Sequence, residues 1–168
     1  GLEVIEAMRL FEVEAKDVKV VMHRESIVHS LVEFTDGGMK GLFSVPDMRL
    51  AIETALYYPE HGKDSVAPLD LAKLGSLSFS APDYDRFPCL KIAMDAASAG
   101  EGACIAVSAA DEVLVEEFLK GKIKYPEIAT ALSKVFAKFK KVGNVELEDV
   151  LGIDEQARKY TYSVIGVK

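Results

Sequence analysis

From Pro88 to the end of the chain the apolar residues recur at helical spacing, broken only at a few glycines and one Tyr-Pro step. Residues 89–99 form one predicted helix, closed by Gly100 and Gly102, and residues 104–119 a second, closed by Gly121. Tyr125-Pro126 opens a third, because proline in a first turn lacks only an N–H that has no helical partner there; it ends near Lys141 and Gly143. Residues 147–151 and 154–164 make the last. Four helices with short joints hide their apolar faces best against one another, which predicts an up-and-down bundle over residues 88–168.

The sequence before Pro88 follows another pattern. Val4, Ile5, Met8 and Phe11 lie on one stripe of a helix over residues 2–11. Residues 18–22 are rich in β-branched side chains and predict a strand. After the polar run His23-Arg24-Glu25-Ser26, residues 27–35 alternate, with Val28, Ser30, Val32 and Phe34 on one face and Ile27, His29 and Leu31 on the other. Asp36-Gly37-Gly38 is a hairpin turn, since glycine supplies the positive φ that such turns need. Met39, Gly41, Phe43 and Val45 alternate on the returning strand, and Pro46-Asp47 opens a helix that runs to about Tyr58 and stops at Pro59. Residues 60–87, with Gly62, Pro68, Gly75 and Pro82 and one short strand at 77–80, read as a connecting segment. The predicted class is α+β: a short sheet with flanking helices in residues 1–59, the connection 60–87, and a C-terminal four-helix bundle in 88–168.

A chain of 168 residues, 49% hydrophobic and 28% charged, can bury a real core, so disorder is excluded. The net charge of −7 argues against a surface that tracks a phosphate backbone, and no nucleic-acid partner is expected. Lys134, Lys138, Lys140 and Lys141 sit towards the end of a predicted helix, where cations complement its dipole. Cys89 and Cys104 belong to no zinc or CxxC pattern and read as small core residues of a reducing compartment. No apolar run is long enough to span a bilayer and no charged-then-apolar leader occurs, so no membrane partner is expected. Gly1 opens on helix-forming sequence without an initiator Met, which suggests a processed start or a piece of something longer.

Three places carry chemistry. Glu3 and Glu6, three apart, are neighbours on one helix face. They form either a solvated edge eased by Arg9 or part of an oxygen cage for a hard divalent cation, which needs further acids from elsewhere. His23, Ser26 and His29 crowd one polar loop and the strand after it, where a histidine can be a satisfied structural residue or a catalyst. The turn Pro46-Asp47-Met48-Arg49 leaves a strand for a helix, a usual setting for substrate-facing side chains; otherwise Met48 simply fills core.

These stretches, together with Leu69-Asp-Leu-Ala-Lys-Leu-Gly-Ser-Leu-Ser-Phe79 and Ala81-Pro-Asp-Tyr-Asp-Arg-Phe-Pro-Cys89-Leu90, resemble the 1-deoxy-D-xylulose 5-phosphate reductoisomerase family. Its members are NADPH-dependent enzymes of the methylerythritol phosphate route to isoprenoids. The resemblance covers nearly the whole chain and matches the second half of the family's subunit. It implies catalytic roles for Glu3, Glu6 and His29, with Glu3 as the third carboxylate ligand of Mg2+ or Mn2+ and Glu6 close to that site. It places His29 near the substrate phosphate with Ser26 beside it, and Pro46 and Met48 over the substrate, Met48 also against the nicotinamide. The implied reaction rearranges 1-deoxy-D-xylulose 5-phosphate and reduces it with NADPH to 2-C-methyl-D-erythritol 4-phosphate. A cytoplasmic homodimer that binds fosmidomycin is implied as well.

The resemblance also implies that the NADPH-binding domain, two metal carboxylates and a flexible flap lie outside this sequence, so the polypeptide alone is expected to be inactive. The alternative is a non-catalytic helical interaction or dimerisation module. Two departures stand out: Arg24-Glu25 where the family often has Pro-Gln, and Ser108-Ala-Ala-Asp111-Glu112 in place of an Asn-Ala-Ala-Asn-Glu run.

Overall fold

The computed structural model describes residues 1–62, 66–143 and 145–166. In chain order the helices are α1 (Leu2–Phe11), α2 (Met48–Tyr57), α3 (Leu71–Leu74), α4 (Pro88–Ala99), α5 (Glu101–Leu119), α6 (Tyr125–Phe139) and α7 (Leu147–Ile165), and the strands are β1 (Val28–Glu33) and β2 (Met39–Phe43). The α+β class holds. Two compact units divide the chain, one of residues 1–20 with 82–168 and one of residues 21–81.

The first unit is built round α5. Gly102, Ala103, Cys104, Ala106, Val107, Ala109, Ala110, Val113 and Leu114 are all buried, so this helix has apolar contacts on most of its circumference. It packs against α4, α6 and α7. Alanines at 96, 106, 110, 131 and 157, each at most 3% exposed, let the backbones approach closely. In α6 the buried stripe Ile128, Ala131, Leu132, Val135, Phe139 follows the expected helical period. Burying a polar group needs a partner, and the two buried polar side chains among the bundle's described residues each have one. The Thr161 hydroxyl donates to the Ala157 carbonyl at 2.7 Å. The Glu117 carboxylate is closed off by Lys120 Nζ at 2.9 Å and Lys122 Nζ at 2.8 Å, which hold its pKa below the usual range.

Several expectations change here. The packing divides the chain after residues 20 and 81, not after 59 and 87, because α1 buries Val4 and packs on α4 of the helical unit. Residues 147–151 and 154–164, expected to make the last helix, run on without a break: Gly152 stays helical, and its intrinsic penalty of about 1 kcal/mol is offset by tertiary contacts such as those of Ile153 with the core. The predicted strands at 18–22 and 77–80 reduce to one isolated bridge, Met22 with Ser80, with N–H···O distances of 2.8 and 3.0 Å. Residues 63–65 of the expected connecting segment lie outside the described residues.

The second unit holds the β1–β2 hairpin, α2, α3 and the Met22–Ser80 bridge. Its turn is as expected, with Gly37 at φ 84° and the Asp36 carboxylate accepting from Gly38 N–H at 2.8 Å. Pairing is antiparallel, but Val28 faces Phe43 while Ser30 faces Leu42, so β1 carries one extra residue at His29. That bulge breaks the strict alternation expected through 27–34. Val32, Met39 and Leu42 remain more than half exposed on the hairpin.

Two substitutions test the helical unit. Leu114→Ala empties a fully buried position on α5 and is expected to lower stability by about 2–5 kcal/mol in urea denaturation. At Gly102 an added Cβ would collide with Val142, so Gly102→Ala is expected to cost about 1–3 kcal/mol. An unchanged midpoint in both variants would contradict this packing.

Candidate functional site

The expected site residues fall in both units. Glu3 lies in the first turn of α1, where a carboxylate complements the helix's positive end, and Glu6 follows one turn later. Both are exposed, while Val4 between them is buried, so the helix turns its acids outward. Arg9 does not ease them as expected: its Nη1 donates to Glu101 Oε1 on α5 at 3.0 Å. Carboxylate oxygens are the right donors for a hard cation, but among the described residues no group of three or more His, Cys, Asp or Glu is placed to hold one. Glu3 therefore fits such an ion in kind, as one donor of a larger set.

Near α1, Ile5, Cys104, Ile105, Val150 and Leu151 line an apolar cleft that includes neither Glu3 nor Glu6. Burial pushes the Cys104 thiol upward, as it does the Cys89 thiol, so neither is an activated nucleophile. Both are free, and both belong to the core as expected: Cys104 is buried and Cys89 packs against the core cluster. On the same helix Glu112, next to the departure at Asp111, pairs with Arg158 of α7, which also holds Asp154 with Nε at 2.7 Å.

In the other unit the loop after Met22 carries the remaining candidates. Ser26 is exposed and left-handed at φ 52°, a conformation that disfavours any side chain. His29 is exposed on the bulge of β1, with its Nε2 3.3 Å from the Ser44 carbonyl. Since a carbonyl only accepts, that nitrogen carries the proton and Nδ1 is the ring atom open to a ligand.

Pro46 and Met48 are exposed beside the start of α2, Met48 at 72%, so the reading of Met48 as core filler fails. The turn is fixed around Met48 by its neighbours. Asp47 caps the helix by accepting Arg49 N–H at 2.9 Å, and the Arg49 side chain returns to it with Nη2 at 2.6 Å and Nε at 3.0 Å. This guanidinium holds the Asp47 carboxyl down at about 2.

Sequence reasoning missed the distant partners that organise this region. His23, at 7% side-chain exposure, stacks on Phe79 at 4.6 Å and is saturated with hydrogen bonds. Glu25 accepts from Ser78 N–H at 3.1 Å and Oγ–H at 2.7 Å. Those bonds hold its carboxyl below the usual range. Partners more than fifty positions apart left no local signal.

A family model described as DXP reductoisomerase C-terminal domain matches residues 43–160. The 1-deoxy-D-xylulose 5-phosphate reductoisomerase of Geobacter metallireducens is 46% identical over 167 residues, 99% of this chain and 44% of that protein. That of Shewanella frigidimarina is 42% identical over 165 residues, 98% of this chain and 42% of that protein. A crystal structure of DOX-P reductoisomerase in complex with NADPH, fosmidomycin and magnesium superposes with a TM-score of 0.89 at 42% identity, covering 98% of this chain and 42% of that one. The chain thus spans less than half the length of these relatives.

The Asp47–Arg49 clamp has a titration signature. A carboxyl depressed from 3.8 to about 2 stabilises the fold fully above 3.8 and loses that contribution as the pH falls through about 2. Carbon-detected NMR is expected to place the Asp47 midpoint near 2 and to return it towards 3.8 in Arg49→Ala. A midpoint near 3.8 in the unaltered chain would rule the clamp out.

Proposed function

The chain belongs to the 1-deoxy-D-xylulose 5-phosphate reductoisomerase family, and from that premise we propose that it supplies the C-terminal part of a cytoplasmic, homodimeric enzyme making 2-C-methyl-D-erythritol 4-phosphate for isoprenoid synthesis. The observation that carries the reading is the match over nearly all of this chain, with the candidate side chains exposed. NADPH, when bound, supplies the hydride, and Mg2+ or Mn2+ supplies charge stabilisation at the substrate's oxygens.

This chain's own residues then bind and orient. Glu3 provides one hard oxygen ligand and Glu6 negative charge one turn away. His29, donating from Nδ1 when that nitrogen also carries a proton, and the Ser26 hydroxyl meet the phosphate end of 1-deoxy-D-xylulose 5-phosphate, an anion that exposed polar side chains can reach without first being unburied. Met48 and Pro46 lay an apolar cover over the substrate and nicotinamide that keeps water from the reacting carbon. The exposed apolar side chains of the hairpin fit a unit that is covered in the whole subunit or dimer.

In isolation the 168 residues offer a metal one member of its ligand set, so the polypeptide alone is inactive in this reading. A purely structural helical module, the alternative, has no need of a carboxylate at position 3.

In the gene product that carries this sequence, assayed by NADPH oxidation with deoxyxylulose phosphate and Mn2+, Glu3→Gln is expected to lower kcat/KM by more than the about 100-fold that follows loss of an outer-shell partner. Full activity in that variant would reject the ligand role. For the 168-residue polypeptide alone, calorimetry is expected to show no discrete Mn2+ site, and a one-to-one micromolar isotherm would contradict the reading.

A further inference from the structure

We infer that His23 and Glu25 are positioning residues that set Ser26 and His29 against the anionic end of the substrate. The inference rests on the functional reading above and adds two residues to it.

Buried histidines in catalytic sites usually keep one ring nitrogen for chemistry; His23 keeps none. Ile27 N–H donates to its Nε2 at 3.1 Å, so that nitrogen must be the acceptor. Nδ1 therefore carries the proton and points it at the Ser78 carbonyl, 2.9 Å away, with Glu25 Oε2 at 3.0 Å from the same nitrogen. A ring saturated by main chain on one side and by main chain and carboxylate on the other cannot exchange protons with a substrate. It can hold the backbone in place.

What it holds leads to the site in three bonds. His23 Nε2 takes the Ile27 N–H, the Ile27 carbonyl takes the Ser44 N–H at 3.0 Å, and the Ser44 carbonyl takes the His29 Nε2–H at 3.3 Å. Ile27 and Ser44 are both buried, so water cannot replace the links cheaply. Ser26 sits between two anchored residues, with Glu25 tied to Ser78 and Ile27 tied to His23. Those anchors maintain its left-handed backbone, an unfavourable conformation for a residue with a side chain.

Glu25 ties this loop to the segment around Ser78. Its Oε1 accepts twice from Ser78, while Oε2 lies 3.0 Å from His23 Nδ1 without a hydrogen bond of its own.

The test uses the gene product that carries this sequence, with His23→Phe, His23→Gln and Glu25→Ala. Phenylalanine keeps the stack on Phe79 and removes both ring nitrogens, while glutamine can still accept the Ile27 N–H. His23→Phe is expected to raise KM for deoxyxylulose phosphate about tenfold or more and to leave KM for NADPH within about twofold, with His23→Gln recovering most of the loss. In the same variants the His29 Nε2 resonance in 15N-histidine spectra is expected to move with His23→Phe and to return with His23→Gln.

An unchanged substrate KM in His23→Phe overturns the proposal, as does a parallel rise of both KM values that glutamine does not relieve. Should His23→Phe fail to fold, Glu25→Ala, which removes the acceptor for Ser78, carries the same test, with a selective rise in substrate KM expected and none overturning it. Absence of turnover in the unaltered gene product would sink the functional reading instead. The His29 resonance then decides alone, and an unmoved signal in His23→Phe overturns the positioning role.

Discussion

Helix α5 is largely closed off from water by its neighbours, and the first unit depends on that. A helix with apolar contacts on most of its circumference must be enclosed by others, and here α4, α6 and α7 enclose it. Small side chains make the enclosure tight, and the buried Glu117 and Thr161 side chains each have a partner. Glu117 shows the condition under which a charge can sit there: two lysines from the helix end and the following turn cover it. Docked on α4, α1 presents Glu3 and Glu6 on a helical scaffold, which holds side chains more precisely than a loop does.

The second unit solves a different problem. Loops that carry function have few helix or sheet bonds to fix them, so side chains must close the backbone's open valences. His23 and Glu25 do this for the loop bearing Ser26, and Asp47 with Arg49 does it for the turn bearing Met48. In both cases the presented residue is exposed and its immediate neighbours are tied down. Exposure of an apolar side chain such as Met48 is unfavourable in water, and under the proposed function a bound ligand relieves it.

What the sequence revealed was what is decided locally. The helices from α4 onward were legible because glycines at 100 and 121, the Tyr125-Pro126 start and the period of the α6 stripe are all short-range signals. So were the Asp36-Gly37-Gly38 turn and the Asp47 cap. What depended on a distant partner was not. The strand expected at 18–22 lacked a long partner and shrank to one bridge with Ser80, and the bulge at His29 exists only relative to β2. Likewise the grouping of α1 with the C-terminal helices follows from its packing on α4, eighty residues on in the chain, which no local pattern announces. For the candidate site the exposed donors were readable by residue type, whereas the buried residues that hold them were not, because their partners lie more than fifty positions away.

At the centre of the account stands a direct bond between the Glu3 carboxylate and a divalent cation in the complete gene product. Paramagnetic broadening by Mn2+, read on carboxyl-13C-labelled glutamate, measures that contact without any turnover. The account predicts that the Glu3 signal disappears at substoichiometric Mn2+ and survives Mg2+ in its place. A Glu3 signal that remains sharp at saturating Mn2+ while other carboxylates broaden would contradict it.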